Sequence, residues 1–224
     1  SEVLAIDLSL SSLAYAERKT QEFGIKNVEY MKIDILNLEK LGKKFDIIES
    51  VGVLHHMESP LDGLRVLKNC LKTDGLIRVG LYSKIARKSI SAIRNDISKE
   101  KVEREASQMI KFREKLITSS NPIDKSIVGS EDFYSLSGFR DLLFHVQEHN
   151  FTITEINDLL GQLNLSFCGF EITNPKVKKD FSLNYPDKKA FYNLRAWEKF
   201  ETANPDAFHG MYQFWCQKKQ GYLR

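Results

Sequence analysis

The chain has 224 residues, 42% of them hydrophobic and 28% charged, with a formal net charge of +3. This length suits one large α/β domain, or one domain carrying an insertion, and so small a charge does not by itself argue for a nucleic-acid partner. No apolar run reaches the roughly 18 residues of a membrane span, and the first residues lack the basic segment and apolar core of a signal peptide, so a soluble protein with no membrane partner is expected.

Residues 3–8, Val-Leu-Ala-Ile-Asp-Leu, read as a buried parallel strand ending in a carboxylate, the second strand of a nucleotide-binding βαβ unit rather than its first. Ser9 or Ser11 can cap a helix running to about Phe23, with Gly24 as its stop. A strand over 27–33 ends at Asp34, and a third, Phe45 to Ser50, leads into Val51-Gly52-Val53-Leu54-His55-His56. A helix begins near Pro60, Thr73-Asp74-Gly75 makes a turn, and Leu76 to Tyr82 is a fourth strand. Strands joined by single helices imply a parallel sheet with right-handed crossovers. Beyond Ser83 the period becomes helical: Ile90, Ile93 and Ile97 stripe one helix, Val102, Ala106, Met109 and Leu116 a second, and Phe139, Leu142, Leu143 and Val146 a third, after a loop near Asn121-Pro122. A helix over 152–164, strands over 165–172 and 211–217, and one helix over 188–202 between them complete the reading. The expected organisation is a sheet core from 1–84 and 150–224 with a helical cap at 85–149.

In open α/β sheets ligands bind outside the carboxyl ends of the strands, where helix N-termini face the crevice. Asp7, Asp34, the 50–56 segment and Tyr82 all fall there. A carboxylate at Asp7 can accept both hydroxyls of a ribose and one at Asp34 an exocyclic adenine amine; the alternative is that Asp7 caps the next helix and Asp34 starts a turn. His55 and His56 face substrate or form a polar pair opening a loop, and Tyr82 is a site residue or a strand-end core aromatic. Arg140 pairs with a substrate carboxylate or with a structural acid in the cap. Asp141, His145, Glu148 and His149 recur at helical spacing, and His145-x-x-x-His149 has zinc-ligand spacing. The polar face of an amphipathic helix explains that pattern better, so no metal is expected and a base role for His145 outranks a ligand role.

The segments Val-Leu-Ala-Ile-Asp-Leu-Ser at 3–9, Ile-Asp-Ile-Leu at 33–36, Phe-Asp-Ile-Ile-Glu-Ser-Val-Gly-Val-Leu-His-His-Met at 45–57 and Leu-Lys-Thr-Asp-Gly-Leu-Ile-Arg-Val-Gly-Leu-Tyr-Ser at 71–83 stand in an order and spacing that resemble the class I S-adenosylmethionine-dependent methyltransferases. The block from Asp132 to His149 resembles a bacterial subgroup found behind tetratricopeptide-repeat regions. The resemblance implies an α/β fold, a mostly parallel Rossmann-like sheet with a helical cap insertion, and S-adenosylmethionine as cofactor. Asp7 would bind its ribose, Leu8 would pack on adenine, Asp34 and Ile35 would hold the adenine edge, and Ser50, Val51 and Gly52 would line the sulfonium side. Methyl transfer needs chiefly a positioned nucleophile, with a base only if that nucleophile loses a proton. The candidates are His55, His56, Tyr82, Tyr134, Arg140 and His145.

The resemblance also has a departure. Asp7 is reached after six residues, whereas a strand and a Gly-x-Gly turn precede the acidic residue by about 20 positions in such units. The expectation is therefore a sheet lacking its first strand, exposing two edges that invite pairing with a second copy, in a chain weak or inactive alone. A noncatalytic interaction domain and a Rossmann-type dinucleotide enzyme are the alternatives. Three widely spaced cysteines, Cys70, Cys168 and Cys216, read as reduced core thiols of a cytoplasmic protein. Residues 84–118 carry ten Lys or Arg against five Asp or Glu, a charge that guides an acidic partner or simply solvates a face. Without interleaved aromatics, nucleic acid ranks low as acceptor, which is otherwise an unidentified small molecule or protein.

Overall fold

The computed structural model describes residues 1–208 and 210–219. β1 (Val3–Asp7) pairs in parallel with β2 (Val28–Lys32) through α1 (Leu10–Glu22), whose N-terminus is closed by Ser9 accepting from the Ser12 N–H. These two strands form their own sheet. The larger sheet has the order β3 (Phe45–Val51), β4 (Leu71–Tyr82), β6 (Met211–Lys218), β5 (Leu165–Phe170). β3 and β4 are parallel, while β6 runs against both β4 and β5. Among the described residues β1 and β3 each have a strand on one side only.

Between β3 and β4 lies α2 (Pro60–Cys70), capped by Ser59 with proline in its first turn, and it buries Leu64, Leu67 and Cys70 on the sheet. α7 (Ile153–Gln162) opens with a reciprocal Thr152–Glu155 capping box and buries Ile153, Ile156, Leu159 and Leu160. α8 (Pro175–Asn184) and α9 (Leu194–Ala203) fill the β5–β6 connection, where Trp197 stacks on Phe181 at 3.6 Å between ring centroids. Together these residues form one apolar cluster with Ile77, Val79, Leu81, Tyr212 and Phe214. Cys70 and Cys216 are buried and unbridged in it; burial pushes the Cys216 thiol up to about 12.

A second, separate cluster joins α3 (Lys88–Glu100), α4 (Ala106–Thr118), α5 (Pro122–Val128) and α6 (Leu136–Phe144) around Ile93, Met109, Phe112, Phe133 and Phe139. The chain enters and leaves this unit at one point. Ser83 bridges Phe151, the Phe151 N–H donates to the Tyr82 carbonyl and the Lys84 N–H donates to the Phe151 carbonyl, both at 2.8 Å. No described helix is long and apolar enough to cross a membrane.

Several elements differ from the expectations above. The predicted turn at 73–75 lies within β4, which begins at Leu71; the register jumps from Phe45↔Leu71 to Ile47↔Leu76, so the extra residues bulge out of the ladder. Gly75 is needed there, because a Cβ would sit 2.7 Å from the Asp46 carbonyl oxygen. The Asn121-Pro122 loop is the capped start of α5. The helix predicted over 188–202 is two pieces, a 3₁₀ turn at Lys188–Tyr192 and α9, because Asn193 adopts extended backbone and caps α9 with its side chain. α6 stops at Phe144, so His145, Glu148 and His149 lie on extended or irregular chain and share no helical face.

Candidate active site

The carboxyl ends of β1, β2 and β3 carry the residues expected to meet a nucleotide. Asp7 uses one carboxylate oxygen to accept the Ser9 N–H at 2.7 Å, and Asp34 uses one to accept the Leu36 N–H at 2.9 Å. Each therefore does the local capping work and leaves its second oxygen open. Leu8 is 62% exposed beside Asp7, and Ile35 is half-buried against the core. At the end of β3, Ser50 is buried with its hydroxyl unpartnered, Val51 is partly exposed, and Gly52 turns the chain at φ +81°, a region that disfavours any side chain.

Beyond Gly52 the chain folds the two histidines under the second helical unit. His55 is fully buried; its ring lies 3.9 Å from that of Tyr82, and its Nε2 is 3.1 Å from His56 Nε2. His56 Nδ1 lies 3.1 Å and His145 Nδ1 2.8 Å from the Gln147 carbonyl, and the two imidazoles stack at 3.9 Å. A carbonyl only accepts, so His56 Nδ1 carries hydrogen; His145 Nδ1 lies between that carbonyl and the Gln147 N–H, which reaches it at 3.4 Å. His56 Nε2 then accepts from His55, and His145 Nε2 lies 4.0 Å from an Asp141 carboxylate oxygen. Burial, then the neighbouring His56, pushes His55 down to about 3, and burial also lowers His56. Both rings are neutral at neutral pH. Burial raises the Tyr82 phenol, which stays protonated.

A buried ion triad anchors this cluster. Glu148 accepts from Arg87 Nε at 2.9 Å and Nη2 at 2.7 Å and faces Arg94 Nη2 at 2.9 Å; its side chain is 2% exposed and that of Arg87 7%. The Arg87 guanidinium also covers the Tyr82 ring at 3.7 Å. Behind β4, Ser83 donates to Glu201 at 2.9 Å and Tyr212 donates to the same carboxylate at 2.8 Å. Burial raises the Glu201 acid and, as the leading cause, the Tyr212 phenol.

His55, His56, Tyr82 and His145 are thus brought together. Arg140 is exposed on α6 and lines, with His145, a cavity of about 290 Å³. Tyr134 stands apart: its side chain is 63% exposed and its ring packs edge-on to Phe133. Among the described residues no three His, Cys, Asp or Glu side chains are placed to hold a metal ion. Sequence reasoning missed Arg87, Arg94, Gln147 and the Ser83–Glu201–Tyr212 contact. The available signal was position: Arg87 and Glu148 sit just inside opposite ends of the predicted insertion.

Strand order, a single strand running against its neighbours, and acidic residues at successive strand ends define an α/β, Rossmann-like methyltransferase fold. A family model described as a methyltransferase domain matches residues 1–134, and the chain belongs to that family. An uncharacterized protein of Synechococcus sp. is 24% identical over 222 residues, spanning 93% of this chain and 53% of its own length. PKMT2 from Rickettsia typhi, solved in complex with AdoHcy, superposes with a TM-score of 0.69 at 16% identity over 98% of this chain and 44% of that one. The [4+2]-cyclase SpnF superposes with a TM-score of 0.51 at 14% identity, over 98% of this chain and 68% of that one. These two likenesses concern the fold. The chain spans about half the length of the Synechococcus relative and of PKMT2.

Proposed function

We infer that this chain binds S-adenosylmethionine at the ends of β1 to β3 and directs its methyl group to an acceptor held under the helices of residues 85–149, which serve as a cap on a core of 1–84 and 150–224. One observation carries the reading: in a member of a methyltransferase family, Asp7 and Asp34 each present an open carboxylate oxygen at adjacent strand ends. These oxygens suit ribose hydroxyls and an adenine amine respectively, Leu8 and Ile35 offer the apolar contact, and the unpartnered Ser50 hydroxyl and turning Gly52 face the remaining part. The cofactor supplies an electrophilic methyl carbon on a sulfonium, so the protein's task is orientation and, for a protic acceptor, removal of a proton. His145 is the base: its ring is held by the Gln147 backbone, and it lines the cavity. His56 braces that ring by stacking, and Tyr82 offers a protonated hydroxyl beside the pair. The acceptor is a small molecule or protein rather than nucleic acid, and the reaction belongs to the cytoplasm.

Calorimetric titration of S-adenosylhomocysteine into this chain tests the reading. Asp7→Ala should weaken binding by ~1–3 kcal/mol, through loss of charge-assisted hydrogen bonds. An unchanged affinity, or displacement of a fluorescent ligand by NAD with S-adenosylhomocysteine inert, would overturn it.

A further inference from the structure

The cavity beside His145 is lined by two arginines with nothing to hold. Arg104, in the loop before α4, and Arg140, on α6, make no hydrogen bond or ion pair among the described residues, yet both face the same 290 Å³ space with Ser137, Phe144 and His145. A lone solvated arginine is ordinary. Two lining one cavity place a pair of guanidinium forks beside His145, whose ring stacks on His56. Outside the cavity, Arg87 and Arg94 share the single carboxylate of Glu148. On the cavity wall itself two guanidinium groups stand against the one carboxylate of Asp141, and the 84–118 segment carries ten Lys or Arg against five Asp or Glu.

Resting on the reading that this cavity receives the acceptor, we propose that the acceptor carries a carboxylate or phosphate group bound by Arg104 and Arg140, with an apolar body against Phe144 and Val146. A guanidinium meets either acid with two parallel hydrogen bonds. Val146, 79% exposed, and the edge of Phe144 supply apolar surface that a bare inorganic anion would not use. A protonated amine entering the same space meets like charge twice against the one carboxylate of Asp141, so the cavity favours the acid over the amine. The acid group is the handle; the methylated atom lies toward His145.

The test uses three probes with one ring and different heads: benzoate, phenyl phosphate and benzylamine. Each is titrated by calorimetry into wild type and the Arg104→Ala/Arg140→Ala double variant, with S-adenosylhomocysteine measured in parallel. Both arginines are exposed and unpartnered, so the variant should melt with wild type. One or both acids should bind wild type in preference to benzylamine, and the double variant should bind them at least roughly tenfold more weakly while keeping its S-adenosylhomocysteine affinity. Which acid binds identifies the handle. Acids that fail to bind wild type, that bind the variant equally, or that are matched by benzylamine overturn the proposal. Acids held by the two arginines in a protein that ignores S-adenosylhomocysteine would sink the methyltransferase reading and leave the acid site standing.

Discussion

Replacing Glu148 by glutamine removes one negative charge without changing shape and leaves two guanidinium groups facing a neutral amide. Three short contacts are affected, at 2.9 and 2.7 Å from Arg87 and 2.9 Å from Arg94, and the side chains are 2%, 7% and 18% exposed for Glu148, Arg87 and Arg94. Arg94 is the most exposed of the three. Removing one member of so buried a set typically costs about 3–5 kcal/mol, most of it the penalty of an uncompensated charge rather than the worth of the pair. Urea unfolding gives the number, with fluorescence of Trp197 and Trp215 reporting the sheet and circular dichroism the helices. The loss should persist in high salt, because screening acts weakly on buried charge. Adding Arg87→Met to Glu148→Gln should recover part of it, since one stranded cation is gone. A loss under ~1 kcal/mol, the range of surface pairs, or strict additivity in the double variant, would refute the reasoning.

Two further outcomes concern pH. His55 is held near 3 in the folded chain against 6.5 unfolded, so its stabilisation is complete above the unfolded value and is lost as pH falls toward the folded one. At pH 5 the loss should be about 2 kcal/mol for this one group, and His55→Gln should flatten that part of the pH–stability curve; parallel curves would count against burial as the cause. Glu201 runs the other way. Its folded value is raised by burial, so its contribution is full below the unfolded pKa and fades as pH rises through the folded one. Glu201→Gln keeps an acceptor for Ser83 and Tyr212 and should gain on wild type as pH rises, and a pH-independent difference in melting temperature would argue against it.

How far the sequence could be read depended on the range of the interactions. β1, β3 and the Tyr82 end of β4 were legible as apolar-rich runs closed by a polar residue, β2 as a short strand with two alternating faces ending before Asp34, and α2 because serine and proline mark its start. α8 escaped notice: only Val177 and Phe181 of it are buried, one contact pair in a lysine-rich stretch that carries no visible stripe. The end of α6 was misjudged because Val146 continues its apolar spacing while standing 79% exposed. In the candidate site, neighbours such as His55 and His56 were legible together. The link from His56 to His145, and that from Arg87 to Glu148, join positions 89 and 61 residues apart and are made by tertiary packing alone.

The pinch between Ser83 and Phe151 has a consequence for the length of the segment it encloses. Because the helices between them start and finish at neighbouring points, their loop closure is set by the pinch, and doubling the length between would add only ~0.6 kcal/mol of entropy. The helical unit has its own apolar cluster, and its polar ties to the sheet lie close to the pinch in sequence, at Arg87 and at residues 145–149. Such a segment can be lengthened or trimmed between its two ends at little cost in loop-closure entropy.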